Sequence, residues 1–172
     1  MSELIPVLTA DEIRLLVKEM ARRISADYRD RELVMIAVLK GSFVFLADLI
    51  RQLEIPVAVD FLQACSYGAG TQSCGAVRLA KDIEVDIRGK DVLLVEDIVD
   101  TGFTTRFLLQ TLAGRGPRSL GICTLLDRSV RRIVQVPIDF RCFEIPDRFV
   151  VGCGAESREG LTHRASGSVI DA

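Results

Sequence analysis

The sequence VLLVEDIVDTGFTT, residues 92–105, decides the fold and contains the first candidate site. Its first four residues are apolar without alternation, which is typical of a parallel strand buried on both faces. The carboxylates of Glu96, Asp97 and Asp100 follow, where we expect this strand to leave the sheet. The turn TGFTT, residues 101–105, then opens a helix, whose free backbone N–H groups favour anions. Carboxylates beside an anion site suit a ligand that carries both hydroxyl and phosphate groups, such as a sugar phosphate.

The rest of the chain alternates apolar runs with amphipathic helical patterns. Helices are predicted after a capping box formed by Thr9 and Glu12, after Ser42 and after the turn at 101–105. This alternation predicts a single domain over residues 1–172, with an α/β fold in which a mostly parallel twisted sheet is flanked by helices. The other predicted strands cover residues 33–38, 55–62, 76–79, 83–87 and 119–126.

Composition and charge exclude several classes of protein. The 172 residues are 49% hydrophobic and 27% charged, as in an ordinary globular domain. A net charge of −2 provides no general attraction to nucleic acid or to an anionic membrane. The N-terminus has no basic, apolar signal pattern and no apolar run is long enough to span a membrane, so we expect a cytoplasmic protein. Five cysteines without a C-x-x-C pair, and a single histidine, do not indicate a structural zinc site.

Spacing alone leaves the role of the three carboxylates open. Acidic residues at the end of a strand often do no more than face solvent or cap the next helix. Adjacent acids after an apolar strand also occur in ATPases, but the phosphate loop G-x-x-x-x-G-K-[ST] does not occur in this chain. The glycines Gly68, Gly70 and Gly75 do not have the spacing of a dinucleotide fingerprint. A structural role and a ligand-binding role are therefore both compatible with the pattern.

Four stretches resemble one family more specifically. VEDIVDTGFTT, residues 95–105, resembles the motif with which type I phosphoribosyltransferases bind 5-phosphoribosyl diphosphate (PRPP). Within that family, VLKGSF (38–43) resembles the diphosphate loop of hypoxanthine(-guanine) phosphoribosyltransferases, and SYGAGT (66–71) resembles their mobile active-site loop. FEIPDRFVVG (143–152) resembles their purine-binding segment. The four stretches occur in the family's order.

The resemblance implies a fold, a reaction and partners. The type I fold would have its core at about residues 30–140 and a small hood from the N-terminal residues and about 141–172. The implied reaction is purine salvage with Mg²⁺ as cofactor: the 5-phosphoribosyl group of PRPP passes to hypoxanthine or guanine through an oxocarbenium-like transition state. The products would be IMP or GMP and diphosphate. A homodimer or homotetramer is expected, with neither nucleic acid nor membrane as a partner.

The resemblance also assigns roles to residues. Asp100 would be catalytic, taking the N7 proton of the purine. Glu96, Asp97 and Glu156 would bind metal, and Glu96 and Asp97 would also hold the ribose hydroxyls. In the family the peptide before the lysine of the diphosphate loop is often cis, so Leu39–Lys40 could be cis or trans. The implied substrate-binding residues are Lys40, Gly41, Ser66, Tyr67, Glu96, Asp97, Thr101, Gly102, Phe103, Thr104, Thr105, Arg128, Arg132, Phe149, Val150 and Glu156.

Three positions depart from the family's pattern. Arg128 stands where a lysine usually donates to the 6-oxo group of the purine, and a longer, forked side chain changes that contact. Glu156 replaces an aspartate and moves the charge by one methylene. Thr162 stands where an arginine usually reaches the diphosphate, with Arg164 nearby as a substitute.

Two other functions share parts of the pattern. The PRPP motif also occurs in regulatory proteins that sense PRPP and bind nucleic acid with little catalysis. Asp100, Lys40 and the segment around Phe149 favour the enzyme, as does the lack of a basic nucleic-acid-binding run. An Mg²⁺-dependent phosphohydrolase would use the three carboxylates, but the chain has no nucleophile motif for it.

Overall fold

The computed structural model describes residues 5–66, 77–147, 150–151 and 169–171. These residues form the following elements in chain order: β1 (Ile5–Leu8), α1 (Ala10–Asp27), β2 (Leu33–Val38), α2 (Phe43–Ile50), β3 (Val57–Ser66), β4 (Val77–Lys81), β5 (Asp91–Val99), α3 (Phe103–Ala113), β6 (Ser119–Asp127), β7 (Phe140–Glu144), β8 (Val150–Val151) and β9 (Val169–Asp171).

A six-stranded sheet forms the centre of the molecule. Its strand order is β4-β3-β2-β5-β6-β7, and its neighbouring strands are parallel except for the antiparallel pair β3–β4 at one edge. Helices α1 and α2 pack on one face and α3 on the other, so β2 and β5 are buried on both sides. Burial on two faces explains their continuous apolar runs. The predicted mostly parallel α/β sheet with flanking helices is confirmed.

The two ends of the chain meet in a second, smaller sheet. Its strand order is β1-β9-β8, and both pairs are antiparallel. These strands come from the N- and C-terminal segments for which the small hood is predicted. Among the described residues, no helix is long and apolar enough to cross a membrane.

The predicted helix starts agree with the structure. Glu12 N–H donates to Thr9 Oγ1 at 3.2 Å and Thr9 N–H donates to Glu12 Oε2 at 2.7 Å, which completes the capping box. Helix α2 begins directly after Ser42, but the Ser42 hydroxyl donates back to the Val38 carbonyl at 2.7 Å instead of capping the helix.

One predicted strand is wrong. Residues 83–87 alternate apolar and polar side chains, yet they form no strand. The carboxylate of Asp60 accepts the backbone N–H groups of Glu84 at 2.6 Å and Val85 at 2.9 Å. A side chain thus takes the donors that a neighbouring strand would need, while Ile87 is buried in the core beside α3.

The pattern after Ser42 predicts Phe43, Leu46 and Leu49 on the buried side of α2. Leu46 and Leu49 are buried, but Phe43 is 41% exposed and Phe45 is buried instead. The helix has only eight residues, FVFLADLI, and apolar residues occur all around it. Periodicity therefore could not distinguish its buried face from its exposed face.

Candidate active site

The candidate site lies where β5 leaves the sheet. The pairing of β5 with β2 ends at Val95, whereas its pairing with β6 continues to Val99. Glu96 and Asp97 therefore still belong to the strand, but they extend beyond β2. Helix α3 begins three residues after Asp100. The predicted placement of the carboxylates at this end of the sheet, next to a helix N-terminus, agrees with the structure.

The loop between β5 and α3 is held by the segment that follows β6. The carbonyl of Thr101 accepts the backbone N–H groups of Ile133 and Val134, both at 2.9 Å. Gly102 has φ of 92°, and a Cβ there would lie 2.2 Å from the Val134 carbonyl oxygen. Only glycine fits this conformation and this close approach. The loop thereby presents the free N–H groups of the first turn of α3, which suit a phosphate.

Arg132 lies under this loop. Its Nε donates to the carbonyl of Asp100 at 2.8 Å and its Nη2 to the carbonyl of Val99 at 3.3 Å. The same guanidinium forms an ion pair with the buried carboxylate of Asp127, and the Arg132 side chain is only 7% exposed. These contacts favour a role in holding the loop over the predicted role in binding substrate.

Glu96 is buried at the base of the loop. Thr105 Oγ1 donates to Glu96 Oε1 at 3.2 Å across the end of β5 and the first turn of α3. Burial, followed by the neighbouring charge of Asp97, raises the pKa of Glu96 to about 8, although the hydrogen bond from Thr105 lowers it. A positive charge in this position would lower the cost of ionising Glu96.

The loop between β2 and α2 approaches the same carboxylates. The Leu39–Lys40 peptide is cis, which decides a point that the sequence left open. Lys40 is exposed, whereas Gly41 is buried and lies directly against the side chain of Asp97. The structure thus brings the two predicted phosphate-binding loops together at the end of the sheet.

Two arginines face Asp100 from the end of β6. Arg128 Nη1 lies 3.4 Å and Arg131 Nη1 3.8 Å from the same oxygen, Asp100 Oδ2. The other oxygen, Oδ1, is buried and has no hydrogen-bond partner within the described part of the chain. A buried, unsatisfied carboxylate oxygen is costly unless a ligand donates to it. Asp100 therefore offers an acceptor to a ligand with an N–H group.

Several predicted residues lie outside the described ranges. Tyr67, Phe149, Glu156 and the tail around Thr162 and Arg164 are among them. Ser66 is the last residue of β3, and Val150 begins β8, where its backbone pairs with Asp171. Among the remaining positions, Thr101 is half-buried, Phe103 and Thr104 are exposed on the first turn of α3, and Arg128 is buried.

The carboxylates fit a magnesium site whose ligands would come partly from the protein and partly from water and substrate phosphates. Within the described residues, no group of three or more His, Cys, Asp or Glu side chains converges to hold a metal ion. Mg²⁺ is usually bound by one or two carboxylates, with water and substrate phosphates completing its octahedral shell. The adjacent carboxylates of Glu96 and Asp97, next to two predicted phosphate-binding loops, agree with that pattern.

The sequence analysis missed Arg131 and Asp127. Arg131 reaches Asp100, and Asp127 accepts from both Arg132 and Arg141. The available signal was the charged run DRSVRR, residues 127–132, directly after a predicted strand. Because parallel strands end at the same edge of a sheet, these charges are expected near the carboxylates that follow β5.

Comparison with known proteins agrees with this geometry. The family model described as a phosphoribosyl transferase domain matches residues 7–158. A hypoxanthine phosphoribosyltransferase of Salmonella typhimurium is 47% identical over 154 residues, which cover 88% of this chain and 86% of that protein. A hypoxanthine-guanine phosphoribosyltransferase of Mycobacterium avium is 43% identical over 159 residues, covering 89% and 78%.

A solved structure extends the similarity to the backbone. The crystal structure of a hypoxanthine-guanine phosphoribosyltransferase from Bacillus anthracis superposes with a TM-score of 0.88, at 40% identity and with 98% of each chain covered. The family match spans both predicted phosphate-binding loops and the whole central sheet, and the chain belongs to the phosphoribosyl transferase family.

Proposed function

We propose that this protein is a hypoxanthine(-guanine) phosphoribosyltransferase of purine salvage, which converts PRPP and hypoxanthine or guanine into IMP or GMP and diphosphate. The observation that carries the proposal is Asp100 Oδ1, a buried oxygen with no hydrogen-bond partner among the described residues, beside a helix N-terminus and two strand-end carboxylates. A purine N7–H is a donor of the kind that this oxygen lacks. The names of the relatives, 42–47% identical for the first five, support the same reaction.

The residues at the end of β5 would bind the ribose phosphate. Glu96 and Asp97 accept hydrogen bonds from the vicinal hydroxyls and would hold Mg²⁺, which supplies charge neutralisation at the diphosphate when it is bound. The backbone N–H groups and hydroxyls of residues 101–105 surround the 5′-phosphate. Lys40 and Gly41 approach from β2 and bind the diphosphate.

The base would lie over Asp100. Its carboxylate accepts the N7 proton as the bond between base and ribose forms. Arg128 donates to the 6-oxo group in place of the family's lysine. Phe149 stacks on the purine and the Val150 backbone pairs with its edge, while Ser66 and Tyr67 close over the site and exclude water.

The alternative of a PRPP-sensing regulatory protein is not supported, since the relatives are named as enzymes. Two further proposals concern the compartment, which is expected from the sequence, and the assembly, which rests on the family resemblance alone. The protein would act in the cytoplasm, and it would form a homodimer or homotetramer, which sedimentation equilibrium tests directly.

A PRPP-dependent assay tests the function. The purified protein is incubated with PRPP, Mg²⁺ and each of hypoxanthine, guanine, xanthine and adenine, and diphosphate and nucleotide are quantified. We expect equal amounts of both products with hypoxanthine or guanine, and little with adenine, whose 6-amino group is a donor facing Arg128. Absence of product with all four bases would contradict the proposal.

A further inference from the structure

We propose that Arg131 is a positioning residue that links the purine-binding segment to the catalytic carboxylate of Asp100. The inference rests on the proposed function, because it assumes that Asp100 takes a proton from the base. Arg131 ends a short 3₁₀ turn, Ser129–Arg131, directly after β6. The turn lies between the loop that follows β5 and the segment that follows β7.

The side chain of Arg131 contacts one carboxylate in each of these two segments. Its Nη1 lies 3.8 Å from Asp100 Oδ2, and its Nε lies 3.7 Å from Asp147 Oδ1. Asp147 stands two residues before Phe149, the side chain expected to stack on the purine. One guanidinium thus spans the residue proposed to take the proton and the segment between β7 and β8.

Residues 127–129, which lead into the turn, are also held by hydrogen bonds to both segments. Ile145 N–H donates to the Asp127 carbonyl at 2.8 Å, and the Ser129 hydroxyl donates to the carboxylate of Glu144. On the other side, Arg128 N–H donates to the Val99 carbonyl at 3.0 Å. Because the turn is anchored to both segments, a movement of either one is transmitted to the Arg131 side chain.

The contact between Arg131 and Asp100 affects how the Asp100 carboxylate is oriented toward the base. Arg128 and Arg131 both approach Oδ2, which leaves Oδ1 as the oxygen available to the base. Two cations on one oxygen fix the rotation of the carboxylate. Arg128 is buried and tied to the sheet, whereas Arg131 also contacts Asp147 and therefore depends on the purine segment. Arginine suits this role because its planar fork presents Nε and Nη1 to two acceptors at once.

The test compares Arg131→Gln, Arg131→Lys and Asp147→Asn with the unmodified enzyme in single-turnover phosphoribosyl transfer to hypoxanthine. We expect Arg131→Gln to lower the single-turnover rate roughly tenfold, because small displacements of catalytic groups are costly. The KM for PRPP, measured in the steady state, should stay unchanged. Arg131→Lys should recover only part of the rate. Asp147→Asn should show a smaller loss, and adding it to Arg131→Gln should cause almost no further loss.

The same substitutions in another exposed ion pair serve as the control. Arg51 and Asp48 form an exposed ion pair on α2, and Arg51→Gln and Asp48→Asn should leave the rate unchanged. If the unmodified enzyme turns over but Arg131→Gln retains its rate, or if the Arg131 and Asp147 effects are additive, the link does not exist. If the unmodified enzyme is inactive with every base, the proposed function itself fails, so the two failures are distinct. Asp147 is exposed, so its variant keeps the test decisive if Arg131→Gln does not fold.

Discussion

The carboxylate of Asp97 occupies the space that a side chain on Gly41 would fill. A Cβ built on Gly41 would lie 2.2 Å from Asp97 Oδ2 and 2.6 Å from its carboxyl carbon. No real Cβ contact is that short, so either the Asp97 side chain or the loop after β2 would have to move. The loop after β2 and the Asp97 carboxylate therefore keep this arrangement only while residue 41 is glycine.

Gly41→Ala should reduce kcat/KM for PRPP by about a hundredfold, because it displaces either Asp97 or the diphosphate loop by about 1 Å. The control is Gly114→Ala, where the new Cβ would meet its nearest neighbour, the Thr111 carbonyl, at an ordinary 3.6 Å. Steady-state kinetics and thermal unfolding of both variants check this. Equal activity of the two variants would show that the contact between Gly41 and Asp97 does not matter.

Asp100→Asn should lower the single-turnover rate with hypoxanthine about a hundredfold, since an amide cannot accept the N7 proton. The dissociation constant of PRPP should stay within about twofold, because Asp100 does not form the phosphate site. Rapid quench and equilibrium binding measure the two quantities. An unchanged rate would remove Asp100 from the role of base.

Arg128→Lys restores the residue usual in the family and should change base preference. Lysine presents a single ammonium group instead of a fork, and it approaches Asp100 Oδ2 differently. We expect the ratio of kcat/KM among hypoxanthine, guanine and xanthine to shift by about threefold or more. Arg106→Lys, an exposed change on α3, is the control. If both variants keep the original ratio, Arg128 does not contact the base.

Arg132→Met should destabilise the protein by about 2–3 kcal/mol, because it leaves the buried carboxylate of Asp127 with Arg141 as its remaining charged partner and removes two donors to the loop. Arg22→Met removes an exposed ion pair with Glu19 and should cost less than about 1 kcal/mol. Urea denaturation compares the two. A small cost for Arg132→Met would assign its guanidinium to substrate instead.

Glu96 should make the stability of the protein depend on pH in the absence of divalent cations. The unfolded chain releases this proton near its ordinary pKa of 4.5, whereas burial and Asp97 raise the folded pKa to about 8. The folded state therefore holds a proton that the unfolded state has lost, and stability falls as pH rises between these values. Glu96→Gln should remove this slope and be the more stable form above pH 8. Denaturation measured in the presence of EDTA at several pH values in this range gives the slope. Equal pH dependence of stability for Glu96→Gln and the unmodified protein would contradict the pKa assigned to Glu96.

Local patterns predict the parts of the site that lie within one segment. The strand at Leu33–Val38 has the predicted bounds, and the capping box at Thr9 and the helix after Gly102 form as expected. Each depends on residues within a few positions of one another, so periodicity and capping chemistry reveal it.

Contacts between distant segments could not be predicted in this way. Asp60 takes the N–H groups of Glu84 and Val85, 24 and 25 positions away, and so prevents a strand with the right alternation. Arg131 and Asp100 meet because β5 and β6 end side by side. The charged run at 127–132 indicates charges near that edge of the sheet, but it does not indicate which of them pairs with Asp100. Such pairs follow from the strand order, which a single sequence does not contain.

The register of the three neighbouring strands limits how this enzyme can diversify. Val99, Asp127 and Glu144 stand opposite one another across β5, β6 and β7. One residue inserted inside any of these strands would turn every following side chain to the opposite face of the sheet. The loops that follow Val99, Asp127 and Glu144 can lengthen or shorten without reversing the side chains of the strands. New base preferences should therefore arise in lineages by changes in loop length and loop residues, while the lengths of these three strands stay constant.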